Sequence, residues 1–385
     1  MPSDRIYFNK PPKTEKSLKY ILESIENGRI SGDGYFTEQC HKWIERTTGT
    51  SKALLTHSCT AALEMAAILV NAGPGDEIIM PSYTFASTAN AFALRGAIPV
   101  FVDVRADTMN LDERLIEDAI TPATKAICVV HYAGVACEMD SIMALAKRHG
   151  LAVVEDAAQA HHASYRGQQL GTFGALGTLS FHETKNIVSG EGGALLINDP
   201  ALVKRAMIIR EKGTNRTEFL NGQIDKYTWM DIGSSYLPSE MIAAFLLAQL
   251  ESGEDLITRR LAIWNTYNDS LASLEQRGLL RRPGVPDDCA HNGHIYYLLT
   301  ETHEQQRDLR NWLKQHEIDT ATHYVPLHSS PAGMRFGRAH GDLPVTCDQA
   351  NRLVRLPVWS DLPEAATLRV CDRIHEFFGQ APRAA

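Results

Sequence analysis

Between residue 52 and about residue 198, the hydrophobic positions fall into short apolar or β-branched runs separated by longer stretches with helical spacing. The runs cover residues 53–56, 77–80, 98–104, 126–131, 151–155, 178–181 and 193–197. Each has the length of a strand, and strands alternating with helices predict a mostly parallel sheet covered on both faces. The intervening helices are bounded by glycines suited to C-terminal caps: 60–71 stops at Gly73-Pro74-Gly75, 87–94 at Gly96 and 139–148 at Gly150.

After Pro238 the helical pattern resumes over 239–250 and 256–274. A strand-like run at 295–299, an amphipathic segment at 304–316 and an apolar helix at 366–378 follow. No internal repeat or low-complexity linker interrupts the chain. The expectation is an α/β protein with a large domain over residues 1–250, whose mostly parallel mixed sheet is flanked by helices, and a smaller C-terminal α/β domain over 251–385.

Composition narrows the range of partners. With 38 Lys+Arg against 46 Asp+Glu, the net charge of -8 supplies no general field for nucleic acid. A small anion can still bind locally at a helix N-terminus. Residues 1–19 lack the apolar stretch of a secretory signal, and no later run approaches the roughly 20 apolar residues of a membrane span, so a cytoplasmic protein is expected. The seven cysteines are scattered without a C-x-x-C pair, which reads as reduced thiols. Fifteen histidines include no H-E-x-x-H, so no metal site is expected.

Three segments carry candidate chemistry. The run Val153-Val154-Glu155-Asp156-Ala157-Ala158-Gln159 ends an apolar strand in two carboxylates, placing Asp156 at the sheet edge where open α/β folds bind ligands. Alone, such a carboxylate serves equally well as a helix cap or a salt-bridge partner. Next, Lys185 follows Ser180-Phe181-His182-Glu183-Thr184 and precedes the turn Ser189-Gly190-Glu191-Gly192-Gly193; a lone lysine there is ordinarily a solvated charge. The junction His57-Ser58-Cys59-Thr60 offers hydroxyls and the free N–H groups of a first helical turn, the makings of a phosphate site or of an ordinary cap. With the aromatic segment Tyr83-Thr84-Phe85, these supply in order an anion cradle, a flat ring, an acid and an amine. Pyridoxal phosphate needs that set.

On these segments the chain resembles the nucleotide-sugar aminotransferases of the aspartate aminotransferase fold, pyridoxal phosphate dependent transferases of fold type I. Matching segments run from Gly32-Asp33-Gly34 to His323-Tyr324-Val325-Pro326-Leu327-His328. The segments Glu211-Lys212-Gly213-Thr214-Asn215-Arg216, Asp225-Lys226-Tyr227-Thr228-Trp229 and Asp231-Ile232-Gly233-Ser234-Ser235-Tyr236-Leu237 look like the dTDP-4-amino-4,6-dideoxygalactose transaminase branch. That branch makes an amino sugar of surface polysaccharides such as enterobacterial common antigen.

The resemblance implies that Lys185 bonds the cofactor and acts as acid and base, Asp156 pairs with the ring nitrogen, Gln159 approaches the ring hydroxyl and Phe85 stacks on the ring. Cys59, Thr60 and Ser180 would take the phosphate, with Cys59 standing where relatives have glycine. Ser234-Ser235 stands where many relatives have an asparagine that reaches the phosphate of the neighbouring subunit. His323 and Tyr324 are candidates for substrate contact or for packing at the domain interface. His182 is a candidate for substrate contact or for a supporting hydrogen bond. The implied reaction moves the amino group of glutamate to the 4-keto carbon of dTDP-4-keto-6-deoxyglucose in a homodimer with shared sites.

Competing readings are a different nucleotide-linked 3- or 4-keto sugar and a non-catalytic regulatory or binding protein on the same scaffold. A nicotinamide oxidoreductase lacks its G-x-G-x-x-G here, and related sugar dehydratases carry histidine at the lysine position.

Overall fold

All seven apolar runs become strands of one sheet in the computed structural model, which describes residues 5–380. The strands in chain order are β1 (Lys52–Thr56), β2 (Glu77–Pro81), β3 (Ile98–Val102), β4 (Thr124–Val130), β5 (Ala152–Asp156), β6 (Ser164–Tyr165) and β7 (Gln168–Gln169). They continue as β8 (Leu176–Ser180), β9 (Gly193–Ile197), β10 (Leu280–Arg281), β11 (Cys289–Ala290), β12 (Tyr296–Thr300), β13 (Arg338–Ala339) and β14 (Leu353–Leu356).

Among the described residues the main sheet has the order β1-β9-β8-β5-β4-β2-β3-β13. Neighbours from β8 across to β13 run parallel, whereas β9 is antiparallel to both β1 and β8, which makes the sheet mixed. A second sheet, β10-β12-β14, packs against the helices His303–Gln315 and Glu364–Gln380 around Tyr296, Leu298, Leu313 and Ile374. Among the described residues three pairings cross the division expected near residue 250: β13 extends the large sheet beside β3, β11 pairs with β6, and Ile6 bridges to Ile318.

Successive side chains of a strand point to opposite faces, and this sorts the core into two layers. Ile79, Ile127, Val129 and Val153 join the layer containing Phe36 and Ile44 of one helix, Tyr35–Thr48. Ile78, Met80, Cys128 and Val154 join the layer containing Ala62 and Met65 of another, Cys59–Leu69. Each fully buried side chain of this size contributes about 1.5–3 kcal/mol. The layers hold the strand ends rigid where they meet the site.

Helix boundaries follow the glycine pattern only in part. Gly150, at φ 64°, caps the helix Met139–His149 as expected. The helix Cys59–Leu69 instead ends beside Asn71, whose φ of 56° takes the left-handed position, ahead of Gly73. The 256–274 stretch divides into Gly253–Ser270 and Ala272–Gln276. Helices Lys16–Glu26 and Tyr35–Thr48 lie outside the elements expected from the sequence.

Gly193, the first residue of β9, is needed for close approach. A Cβ there would lie 2.4 Å from the Cys59 nitrogen and 2.5 Å from the Ser58 carbonyl carbon, both rigid backbone atoms. Gly193→Ala should therefore lower stability by about 1–3 kcal/mol, read as a drop in the denaturation midpoint. An unchanged midpoint would refute this packing.

Candidate active site

Strand β5 determines the centre of the site. Val153 faces one core layer and Val154 the other, so Glu155 and Asp156 follow onto opposite faces. Glu155 is fully buried, accepting backbone N–H groups from Gly171 (2.8 Å), Phe173 (2.6 Å) and Gly174 (2.7 Å). His131 also contacts it at 2.9 Å: because its Nδ1 accepts the Cys137 N–H at 3.2 Å, its Nε2–H donates to Glu155. Glu155 is thus a structural anchor for the 171–174 loop.

Asp156 turns the other way, toward the helix Cys59–Leu69 and its neighbour Ala86–Ala93. Thr88 Oγ1 donates to Asp156 Oδ2 at 2.7 Å, and the Ala158 N–H donates to Oδ1 at 3.2 Å. With the Thr88 proton so committed, Thr84 Oγ1 donates to Thr88 at 2.7 Å. Burial pushes the Asp156 carboxyl above its ordinary range, and these hydrogen bonds partly counter that. No cation is ion-paired with Asp156 among the described residues.

Lys185 is presented by the loop after β8, with its N–H on the His182 carbonyl at 2.9 Å. Its amine opens into a cavity of roughly 460 Å³ that Asp156 also lines, and it has no hydrogen-bond partner among the described residues. Burial holds the amine below an ordinary lysine, while Cys59 and Asp156 oppose that shift.

In the wall of the same cavity, Ser58 Oγ caps its helix by accepting the Ala61 N–H at 3.1 Å. The N–H groups of Cys59 and Thr60 are left without acceptors among the described residues. Thr60 Oγ1 lies 2.7 Å from Ser87 Oγ, and Ser180, at the end of β8, lines the same space. Cys59 has negative φ, so its side chain costs the turn no backbone strain. Burial, with Asp156 adding, pushes the Cys59 thiol up to about 12, which keeps it uncharged beside an anion.

The remaining expected residues divide into three groups. Gln159 Oε1 accepts the Ala133 N–H at 2.7 Å and its Nε2 donates to the Tyr324 hydroxyl at 2.8 Å, while His323 Nδ1 lies 2.7 Å from the Tyr132 hydroxyl. His323 and Tyr324 stack at 3.7 Å between centroids and both line the cavity. Phe85 and His182 sit at its mouth: Phe85 is 60% exposed with its ring 6.3 Å from Tyr324, and His182 Nδ1 is 2.9 Å from Thr184 Oγ1. Ser235 stands apart from the other candidates. It pairs with Glu211 and is exposed in a separate surface groove beside Gly32, Lys212 and Arg216, so it does not line its own chain's cavity.

Thr84, Thr88, Ser87 and Tyr132 were not expected from the sequence. Thr84 and Thr88 are four residues apart, and that spacing at the start of a helix was the available signal.

These groups fit pyridoxal phosphate: a free amine, a buried carboxylate lacking a cation, and an open pair of N–H groups with hydroxyls around them. Among the described residues no group of three or more His, Cys, Asp or Glu side chains could hold a metal ion, and no helix is long and apolar enough to cross a membrane.

Comparison with known proteins agrees with this geometry. The family described as DegT/DnrJ/EryC1/StrS aminotransferase matches residues 11–375. GDP-perosamine synthase of Escherichia coli O157:H7 is 32% identical over 96% of this chain and 97% of its own. The dTDP-3-amino-3,4,6-trideoxy-alpha-D-glucose transaminase of Streptomyces venezuelae is 36% identical over 87% of this chain and 85% of its own. The crystal structure of S. venezuelae DesV in complex with a ketimine intermediate superposes with a TM-score of 0.87 at 33% identity, covering 95% of each chain.

Two measurements test the geometry. Glu155→Ala should cost about 3–5 kcal/mol by chemical denaturation, because it strands three N–H groups and His131; a loss under about 1 kcal/mol would contradict the anchor. Since the Lys185 amine is depressed, its neutral form appears at lower pH than in ordinary lysines. In cofactor-free protein, an amine-reactive reagent followed by peptide mass spectrometry should therefore modify Lys185 half-maximally below pH 10.5. A midpoint at or above that value would contradict it.

Proposed function

Because the chain belongs to the DegT/DnrJ/EryC1/StrS aminotransferase family and is a pyridoxal phosphate dependent enzyme, we propose that it moves the amino group of glutamate to the 4-keto carbon of dTDP-4-keto-6-deoxyglucose. The products are dTDP-4-amino-4,6-dideoxygalactose and 2-oxoglutarate. The observation that carries the aminotransferase chemistry is the unpartnered Lys185 amine sharing a cavity with the cation-free Asp156 carboxylate. The sugar identity rests on the resemblance of the 211–237 segments.

When bound, pyridoxal phosphate supplies a carbonyl carbon that exchanges amines and a ring that takes up the electrons of a broken C–H bond. Lys185 would hold it through Nζ and, once released, would move a proton at Nζ between the donor carbon and the cofactor carbon that receives the amine. Asp156, its carboxylate fixed by Thr88 and the Ala158 N–H, would keep a proton on the ring nitrogen by its negative charge. The Cys59 and Thr60 N–H groups, with the Thr60 and Ser180 hydroxyls, bind the phosphate. Gln159, its amide held by the Ala133 N–H and the Tyr324 hydroxyl, would approach the ring, Phe85 would stack on it, and His323, Tyr324 and His182, which line the same cavity, would contact the substrate.

A homodimer completes this reading. Tyr227, Trp229, Met230 and Ile232 are 39–77% exposed close to Ser235, an apolar surface suited to a second copy. Ser235 of one protomer would then approach the cavity of the other. The two curated relatives bear names of amino sugars on different nucleotides, GDP and dTDP, which favours a second reading in which another nucleotide-linked keto sugar is the acceptor.

The acceptor is tested by incubating the enzyme with glutamate and a panel of nucleotide-linked 3- and 4-keto sugars, with NMR of each product. A 4-amino sugar of galacto configuration formed from dTDP-4-keto-6-deoxyglucose is expected; turnover only with another sugar would overturn the assignment. Lys185→Ala should lower turnover by about 10³-fold or more, and Asp156→Asn by about 10²-fold, with normal turnover in either variant contradicting its role.

A further inference from the structure

One wall of the cavity presents a hydrogen-bond acceptor that no described group of the protein satisfies. His294 lies two residues before β12, in a loop held by Arg260 of the helix Gly253–Ser270. Arg260 Nε donates to the Gly293 carbonyl at 3.2 Å and Nη2 to the His294 carbonyl at 2.8 Å, while the His294 N–H donates to Asn292 Oδ1 at 3.1 Å. The His294 ring is buried, with Nδ1 2.8 Å from Asn186 Oδ1. Asn186 Nδ2 donates to the Asn292 carbonyl at 3.0 Å, and Asn292 Nδ2 donates to the carbonyls of Gln159 (2.8 Å) and His161 (2.8 Å).

This chain of bonds fixes the tautomer. The Asn186 amide turns its NH2 to the Asn292 carbonyl, so its oxygen faces His294 and Nδ1 carries the proton. Burial, helped by the cations Lys185, Arg260 and Arg355, holds the imidazole well below an ordinary histidine, so the ring is neutral. Nε2 is therefore a lone-pair acceptor. No donor among the described residues reaches it, the Lys185 amine included, and it opens into the cavity that Lys185 and Asp156 line.

We propose that His294 Nε2 accepts a hydrogen bond from the hydroxyl beside the keto carbon of the acceptor sugar, which deepens the acceptor reading above and rests on it. In dTDP-4-keto-6-deoxyglucose this is the C3 hydroxyl, because C5, on the other side, bears the ring oxygen and the methyl carbon. The choice follows from what each ligand can donate. The carboxylates of glutamate and 2-oxoglutarate offer only acceptors, which an imidazole lone pair repels, and the amine of glutamate is the group it transfers. Sugar hydroxyls donate. The nucleotide joins the sugar at C1, across the ring from C4, whereas His294 is held by Asn186, the chain neighbour of Lys185. A hydroxyl at the reacting end is the donor that matches, and a buried acceptor left unpaired rejects a sugar that lacks it.

The test pairs two variants with two sugars. His294→Asn keeps a donor within reach of Asn186 and removes the acceptor at Nε2, whereas His294→Gln sets an amide oxygen near the Nε2 position. Calorimetry would measure the binding of dTDP-6-deoxyglucose, which lacks the reactive ketone, and of its 3-deoxy counterpart to protein loaded with pyridoxamine phosphate. Wild type should bind the 3-hydroxylated sugar about tenfold or more tightly, His294→Asn should bind the two within about twofold of each other, and His294→Gln should keep part of the preference. The half-saturating glutamate concentration, followed through cofactor absorbance in single turnovers, should stay within about twofold of wild type in both variants.

Wild type without the preference, or a preference undiminished in His294→Asn, would overturn the contact alone. Loss of the glutamate response in step with sugar binding would overturn it in favour of a structural role for the link to Asn186. Binding of neither sugar by wild-type protein that still responds to glutamate would overturn both this contact and the acceptor proposed above.

Discussion

Strand β5 ends in two carboxylates, and the period-two alternation of a strand sends them to different places. Glu155 goes into the core, where three backbone N–H groups and His131 fix the 171–174 loop beneath the sheet edge. Asp156 goes to the opposite face, against the helices that begin at Cys59 and Ala86. A one-residue change of register would exchange these environments, burying the wrong acid and emptying the site of its anion. The packing that sets the register, with Val153 and Val154 in opposite core layers, is therefore also what positions the chemistry.

The cavity carries charge that the protein does not neutralise by ion pairing. Asp156 is buried without a paired cation, and among the described residues the Lys185 amine lacks an acceptor and His294 Nε2 lacks a donor. Each departure costs folding stability, and each is relieved by a ligand group of opposite charge or matching hydrogen-bonding character. The same site is thus less stable empty than filled, as linkage between ligand binding and folding requires. Thr84 and Thr88 limit the cost at Asp156 by holding one of its oxygens, so the carboxylate meets its partner already oriented.

Much of this was legible in the amino-acid order because the parts obey local rules. Seven apolar runs marked seven strands, and a strand ending in Glu155-Asp156 marked the sheet edge. Lys185 was legible through its place in an ordered set of residue types. The antiparallel placement of β9 depends on which strands become neighbours, a choice that no single run encodes. Thr88 is hidden for the same reason, being 68 residues from the acid it supports. His294 reads in the sequence as one of fifteen histidines, and only folding brings Asn186 against it. Ser235 is a different case: the family resemblance relates it to a neighbouring subunit's phosphate, and within its own chain it lies in a separate groove.

The most direct test of the account is to identify the residue that holds the cofactor. Purified protein would be loaded with pyridoxal phosphate, reduced with borohydride to make the bond permanent, digested and mapped by mass spectrometry. The account predicts one dominant adduct, on Lys185, that excess glutamate added before reduction removes. An adduct on another lysine, or one on Lys185 that glutamate leaves in place, would contradict it.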